Sequence, residues 1–188
     1  MKKFLPLVWL LIAAPAFAQT FIVAKTGSDS NSCAQAQSAA TPKLTIRSAI
    51  ENCLGAGDTL QIRSGTYSEN IEWFTYTIPT GTAGNIITMM GYPGDALPIL
   101  DGDPANIVST PGSIIDFYEQ KYWTIKNLKI DGRNASSTGI TVNASVLGSY
   151  HVRIENLEIY NIGVLAIFVG AYGVDILNNI LRDGGQYG

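Results

Sequence analysis

The sequence predicts an all-β chain wound as a parallel β-helix (a β-solenoid), with one short α-helix capping its N-terminal end. Three observations carry this. Isoleucine outnumbers leucine 22 to 15, and glycine makes up 19 of the 188 residues. Stiff β-branched side chains with many turn formers are the composition of strands joined by tight turns. A six-residue pattern recurs three times, at offsets of 29 and 22 residues. Only one stretch carries a helical period, and its single apolar stripe suits a lid.

Residues 1–18 read as a secretory leader. Lys2 and Lys3 open it, Phe4 to Ala14 is apolar, and Ala16-Phe17-Ala18 is an A-x-A cleavage site before Gln19. The run is too short for a span of about 20 residues, and Pro6 and Pro15 interrupt it. The expected location is therefore secreted, periplasmic or extracellular, with no membrane contact after cleavage. Removing the leader takes two lysines, leaving 10 basic and 15 acidic side chains, net −5. That balance excludes a nucleic-acid binder, which needs a positive excess to meet phosphates. An anionic substrate would need a local cation, either a metal or a focused Arg/Lys cluster.

The remaining residues, 19–188, form one β-helix domain, expected to be the N-terminal part of a longer one. Phe21 to Ala24 reads as its first strand and Gly27 to Ser32 as a polar loop. Export permits a disulfide between Cys33 and Cys53. Closing a loop of about 20 residues would stabilise by about 3 kcal/mol; the alternative is two free buried thiols. With one histidine, His151, two cysteines are too few for a zinc site. The helix follows, with Thr45 as N-cap, Ile46, Ala49, Ile50 and Cys53 as its stripe, and Gly55 ending it. Short strands then lie at Asp58–Ile62, Ile86–Met89 and Pro98–Leu100.

The repeat is Ile125-Lys126-Asn127-Leu128-Lys129-Ile130, Ile154-Glu155-Asn156-Leu157-Glu158-Ile159 and Ile176-Leu177-Asn178-Asn179-Ile180-Leu181. A strand–turn–strand unit recurring every twenty-odd residues is the mark of a β-solenoid. Ile125, Ile154 and Ile176 then stack inside, as do Ile130, Ile159 and Leu181. Asn127, Asn156 and Asn178 stack at the corner as a ladder of side-chain amides. Outward neighbours carry opposite charges: Lys126 with Glu155, Lys129 with Glu158, Arg153 with Asp175. His151 aligns with Tyr122 at a strand entrance. The stretch between the sequons Asn134-Ala135-Ser136 and Asn143-Ala144-Ser145 is expected as an exposed loop that lengthens the first offset.

Gly27-Ser28-Asp29, Thr45-Ile46-Arg47-Ser48-Ala49-Ile50, Gly57-Asp58-Thr59 and Gly65-Thr66-Tyr67 resemble the N-terminal region of secreted right-handed parallel β-helix proteins, the pectate-lyase-like group. The stretches Gly81 to Thr88, Gly91-Tyr92-Pro93-Gly94 and Ile99-Leu100-Asp101-Gly102 continue the likeness. The resemblance implies a right-handed coil and a polysaccharide partner, an acidic glycan first. It implies β-elimination on a uronic-acid polymer, in which a calcium ion neutralises the substrate carboxylate and a Lys or Arg takes the adjacent proton. Asp175 and Asp183 are then candidate calcium ligands, and Arg153 and Arg182 candidate bases. Each has a simpler structural reading, as an exposed pair or a turn. In such families the catalytic groups lie on later coils, so residues up to Gly188 alone are expected to be inactive.

Two other functions fit the same fold. One is a non-catalytic polysaccharide-binding or cell-surface protein. The other is a glycoside hydrolase, which needs paired carboxylates roughly 5–10 Å apart. Adjacent outward acids on successive coils would favour it; the repeat offers opposite charges instead. Tyr67, Trp73, Phe74 and Tyr76 cluster after an early turn and could stack sugar rings or cover the core.

Overall fold

The computed structural model describes residues 17–75, 77–102, 112–133, 137–145 and 149–184. All but the last two residues of the stretch expected as a leader lie outside them, as do Tyr76 and the first sequon.

The chain winds through three parallel sheets, one strand in each per turn. The first coil is β1 (Thr20–Val23), a loop and α1 (Ile46–Asn52). The second is β2 (Thr59–Ile62), β3 (Thr66–Tyr67) and β4 (Ile71–Glu72). The third is β5 (Ile87–Gly91), β6 (Ile99–Leu100) and β7 (Gly112–Tyr118). The fourth is β8 (Trp123–Lys126), β9 (Lys129–Asp131) and β10 (Ser137–Asn143). The fifth is β11 (Ser149–Glu155), β12 (Glu158–Tyr160) and β13 (Ile167–Gly170). β14 (Tyr172–Leu177) and β15 (Ile180–Arg182) complete the described chain. The first sheet orders as β1-β2-β5-β8-β11-β14, the second as β3-β6-β9-β12-β15, and the third as β4-β7-β10-β13. Every strand pairing is parallel, with consecutive coils as neighbours: a parallel β-helix.

The inward columns follow the repeat. Ile125, Ile154 and Ile176 are register partners, and so are Ile130, Ile159 and Leu181. The first two of each column are fully buried, a burial that stabilises by about 1.5–3 kcal/mol per side chain. Ile176 and Leu181 stand on the last described coil and are 47% and 54% exposed. The outward pairs form too: Lys126–Glu155 at 3.9 Å, Lys129–Glu158 at 2.7 Å and Arg153–Asp175 at 3.2 Å.

The corner after the first sheet is set by backbone conformation. Asn127, Asn156 and Asn178 follow the paired residues Lys126, Glu155 and Leu177, and each takes φ of 54–55°. Asparagine tolerates this left-handed region better than other non-glycine residues. Among the described residues, no hydrogen bond joins these three side-chain amides. The coils are joined here by backbone bonds, Asn156 N donating to the Leu177 carbonyl at 3.1 Å, and by the side chain of Asn179, which donates to the Ile154 carbonyl and accepts from Leu157 N, both at 2.9 Å. At the entrance to the first sheet, Tyr122 and His151 both have positive φ, and their rings stack 4.8 Å apart.

At the N-terminal end, Thr45 caps α1 by accepting from Ser48 N at 3.1 Å. Two carboxylates hold the same turn. Asp29 accepts from Leu44 N and Thr45 N, and Glu69 accepts from Ile46 N and Arg47 N. The buried stripe Ile46, Ala49 and Ile50 packs into the core with β1 and β2. Cys33 and Cys53 are joined, with Cα atoms 5.4 Å apart. The helix ends earlier than its sequence suggests. Cys53 is the C-cap, and the Gly55 N–H goes to the Asp58 carboxylate at 2.8 Å, so Gly55 serves a turn rather than the helix end. The larger correction is β10: most of the stretch expected as an exposed loop is a strand of the third sheet. Its core positions Ile140 and Val142 are buried on the register partners Ile115 and Phe117.

Candidate functional site

The third sheet brings two acids together. Its inward positions Ile71, Ile115 and Ile140 are fully buried register partners. The next residue along each strand therefore points outward. That places Glu72, Asp116, Thr141 and Phe168 in one outward column across four coils. Glu72 and Asp116 are direct partners, and neighbouring strands lie about 4.8 Å apart. Two carboxylates thus sit side by side.

Asp116 lines a cavity of about 300 Å³ with Ser113, Thr138, Thr141, Val164, Leu165 and Phe168. Its floor is ordered by a 2.7 Å hydrogen bond between the Ser113 and Thr141 hydroxyls. Glu72 is 1% exposed, and its Oε1 has no hydrogen-bond partner among the described residues. A buried carboxylate oxygen left unpaired is costly when ionised. Accordingly, burial pushes the Glu72 carboxyl up to about 7, and the Asp116 charge beside it adds to the rise. Burial lifts Asp116 to about 6. Burial is the leading cause for both, and Glu72, with the Asp116 charge beside it, keeps its proton to higher pH than Asp116.

An aromatic platform adjoins the pair. Trp73 follows Glu72, and its ring stacks on Tyr118 at 4.6 Å and 25°. Phe74 meets Trp73 edge-on at 5.6 Å. Trp73 N donates to the Asp116 carbonyl at 3.3 Å, tying platform and carboxylates together. The indole is 40% exposed. Of the other aromatics in that sequence cluster, Tyr67 is buried and donates from its hydroxyl to the Arg63 carbonyl.

The residues singled out for elimination chemistry lie elsewhere. Arg153 and Asp175 face each other, exposed, on adjacent strands of the first sheet. Arg182 ends the last strand of the second sheet, bonded to Glu158 at 2.6 Å and to Asp183 at 2.7 Å. Asp183 follows at a corner with φ of 50°. The two aspartates belong to different sheets and each is already neutralised by an arginine. Among the described residues no three His, Cys, Asp or Glu side chains group to hold a metal. The donor set of Asp175 and Asp183 does not fit a calcium site.

The signal for Glu72 and Asp116 is hard to read in sequence. They are 44 residues apart, outside the 22–29-residue spacing of the repeat. The available clue is that the four third-sheet strands contain no lysine or arginine, and Glu72 and Asp116 are their only charged residues.

No family model and no curated protein matches this chain. Among solved structures it is similar to the GH136 lacto-N-biosidase from Eubacterium ramulus, with TM-score 0.61 and 16% identity over 88% of this chain and 34% of that one. The selenomethionine form of the same enzyme gives TM-score 0.54, 15% identity, 85% of this chain and 34% of that one. A rhamnogalacturonan lyase gives TM-score 0.50 and 14% identity over 91% of this chain and 63% of that one. At such identities the likeness is one of fold. The chain spans about a third of the length of the lacto-N-biosidase and less than two thirds of the lyase.

Proposed function

We propose that this is a secreted, right-handed parallel β-helix protein that acts on polysaccharides or oligosaccharides through the Glu72–Asp116 pair. Parallel crossovers within a sheet are right-handed in roughly 98% of cases. Both similar structures are named for action on saccharides, which supports a carbohydrate role on this fold.

The observation that carries the reading is the adjacent carboxylates, one buried without a partner and one lining a cavity. Glycosidic hydrolysis needs one carboxylic acid that gives a proton to the leaving oxygen and one carboxylate that attacks or activates water. Two neighbouring groups that share a proton near neutral pH supply both forms at once. Glu72, raised further, is the proton donor, and Asp116, at the cavity wall, is the ionised partner. This reading displaces the β-elimination first implied by the resemblance. The arginines that would serve as bases are held in ion pairs away from the cavity.

The protein is incubated with neutral and uronic-acid glycans, with calcium or with chelator, and the products are followed. New reducing ends without an unsaturated chromophore, insensitive to chelator and lost in Asp116→Asn, support hydrolysis. An unsaturated product that requires calcium overturns it in favour of a lyase. Saccharide binding without any product leaves a recognition module instead.

A further inference from the structure

We infer that the third-sheet groove binds an uncharged saccharide, one ring resting against the Trp73–Tyr118 platform. This rests on the saccharide-active reading above and names the class of glycan.

A uronate carboxylate entering a pocket beside Asp116 and Glu72 meets repulsion unless a cation screens it. The chain has 12 lysines and arginines, two of them in the leader. Of the other ten, seven stand in ion pairs with carboxylates. Lys25 and Lys121 lie over tyrosine rings. Buried Lys43 donates to the Asp29 carbonyl. None projects from a third-sheet strand, and none lines the cavity. The cavity offers hydroxyls from Ser113, Thr138 and Thr141 and the apolar surface of Val164, Leu165 and Phe168; outside that lining, the Trp73 indole is fixed against Tyr118, two residues along the strand from Asp116. Hydroxyl donors and acceptors beside apolar and aromatic faces match a neutral pyranose, with its ring of hydroxyls and its patches of C–H.

The second row of the same face supports the placement. Tyr118 is partnered by Asn143, which is partnered by Gly170. A Cβ at Gly170 would stand 2.4 Å from the Asn143 Oδ1. Glycine there leaves room for the Asn143 side chain, another uncharged hydrogen-bonding group beside the platform.

Intrinsic fluorescence tests this directly. Of three tryptophans, Trp9 is in the leader and Trp123 is fully buried, so Trp73 reports the groove. The full chain with Asp116 intact is titrated in the cold, to slow turnover, with neutral oligosaccharides (gluco-, galacto- and N-acetylhexosamine-containing) and with oligogalacturonate and oligoalginate. The expected result is a saturable emission change with one neutral series, unaltered between 50 and 500 mM salt. Trp73→Ala should weaken binding, followed calorimetrically, about tenfold, while Trp73→Tyr keeps most of it. Saturation by a uronate series and not by neutral ones overturns the inference but leaves the carboxylate site in place. Neutral binding unaffected by Trp73→Ala overturns the platform. Binding by no saccharide overturns the inference and the saccharide reading beneath it.

Discussion

Glu72 and Asp116 are register partners on neighbouring strands of the third sheet, two acids facing outward from successive coils. Their carboxyl groups lie above the ordinary range, at about 7 and about 6. An acid raised on folding favours the folded state while protonated and opposes it once ionised. Its stabilising effect is complete below the unfolded value near pH 4 and is lost as pH rises through 6 to 7. The denaturation free energy should therefore fall between pH 4.5 and 7.5. Glu72→Gln should be close to neutral at pH 5 and stabilising at pH 8. Urea titrations at the two pH values check this; equal effects at both would contradict it. Asp95 and Glu158, lowered by Arg63 and by Lys129 with Arg182, act in the opposite sense and at lower pH, losing their contribution as pH falls.

Asn156 sits at a corner with φ of 55°. Replacement by valine puts a β-branched side chain in the left-handed region, at about 1–2 kcal/mol. Replacement by glycine, free of that strain, should stay within about 0.5 kcal/mol. Denaturant midpoints of the two variants separate backbone conformation from side-chain bonding. If both lose stability equally, the amide of Asn156 matters more than its φ.

The Cys33–Cys53 bond closes a loop with a sequence separation of 20 and ties the end of α1 to the preceding loop. Cys33→Ser with Cys53→Ser should lower stability by about 3 kcal/mol without changing the far-ultraviolet β signal. Thermal unfolding with and without reductant gives the same comparison on the unmodified chain.

Glu69 reaches from the second coil to the first turn of α1 and accepts from Ile46 N and Arg47 N. Glu69→Ala leaves those donors without the carboxylate and should cost about 1–2 kcal/mol. Hydrogen exchange should speed first at residues 46–50. Uniform loss of protection across all coils would show that the contact secures the whole fold instead.

Much of the winding was legible because the first two sheets repeat on a short period. The pattern around Ile125, Ile154 and Ile176 names the inward columns, and the pairs Lys126–Glu155 and Lys129–Glu158 fix the register. The third sheet was not legible. Its strands enter after connections of unequal length, so Glu72 and Asp116 fall 44 residues apart while Asp116 and Thr141 fall 25 apart. No single period aligns such positions, and β10 passed for a polar loop because Ser137-Thr138-Gly139 opens it. The charge pairs that were legible are those that neutralise each other, and they are structural. The chemically telling acids are the ones without a cation. Sequence spacing hid that contrast, and only the stacked register exposes it.

Near neutral pH, Glu72 should hold a proton beside an ionised Asp116. Carboxyl titration by carbon-13 NMR of the chain labelled at Asp and Glu side chains measures it site by site, with Glu72→Gln and Asp116→Asn giving the assignments. The predicted result is two coupled transitions above pH 5.5, the remaining one in each single variant moving down. Two independent transitions near pH 4, unchanged by substitution of the neighbour, would contradict it.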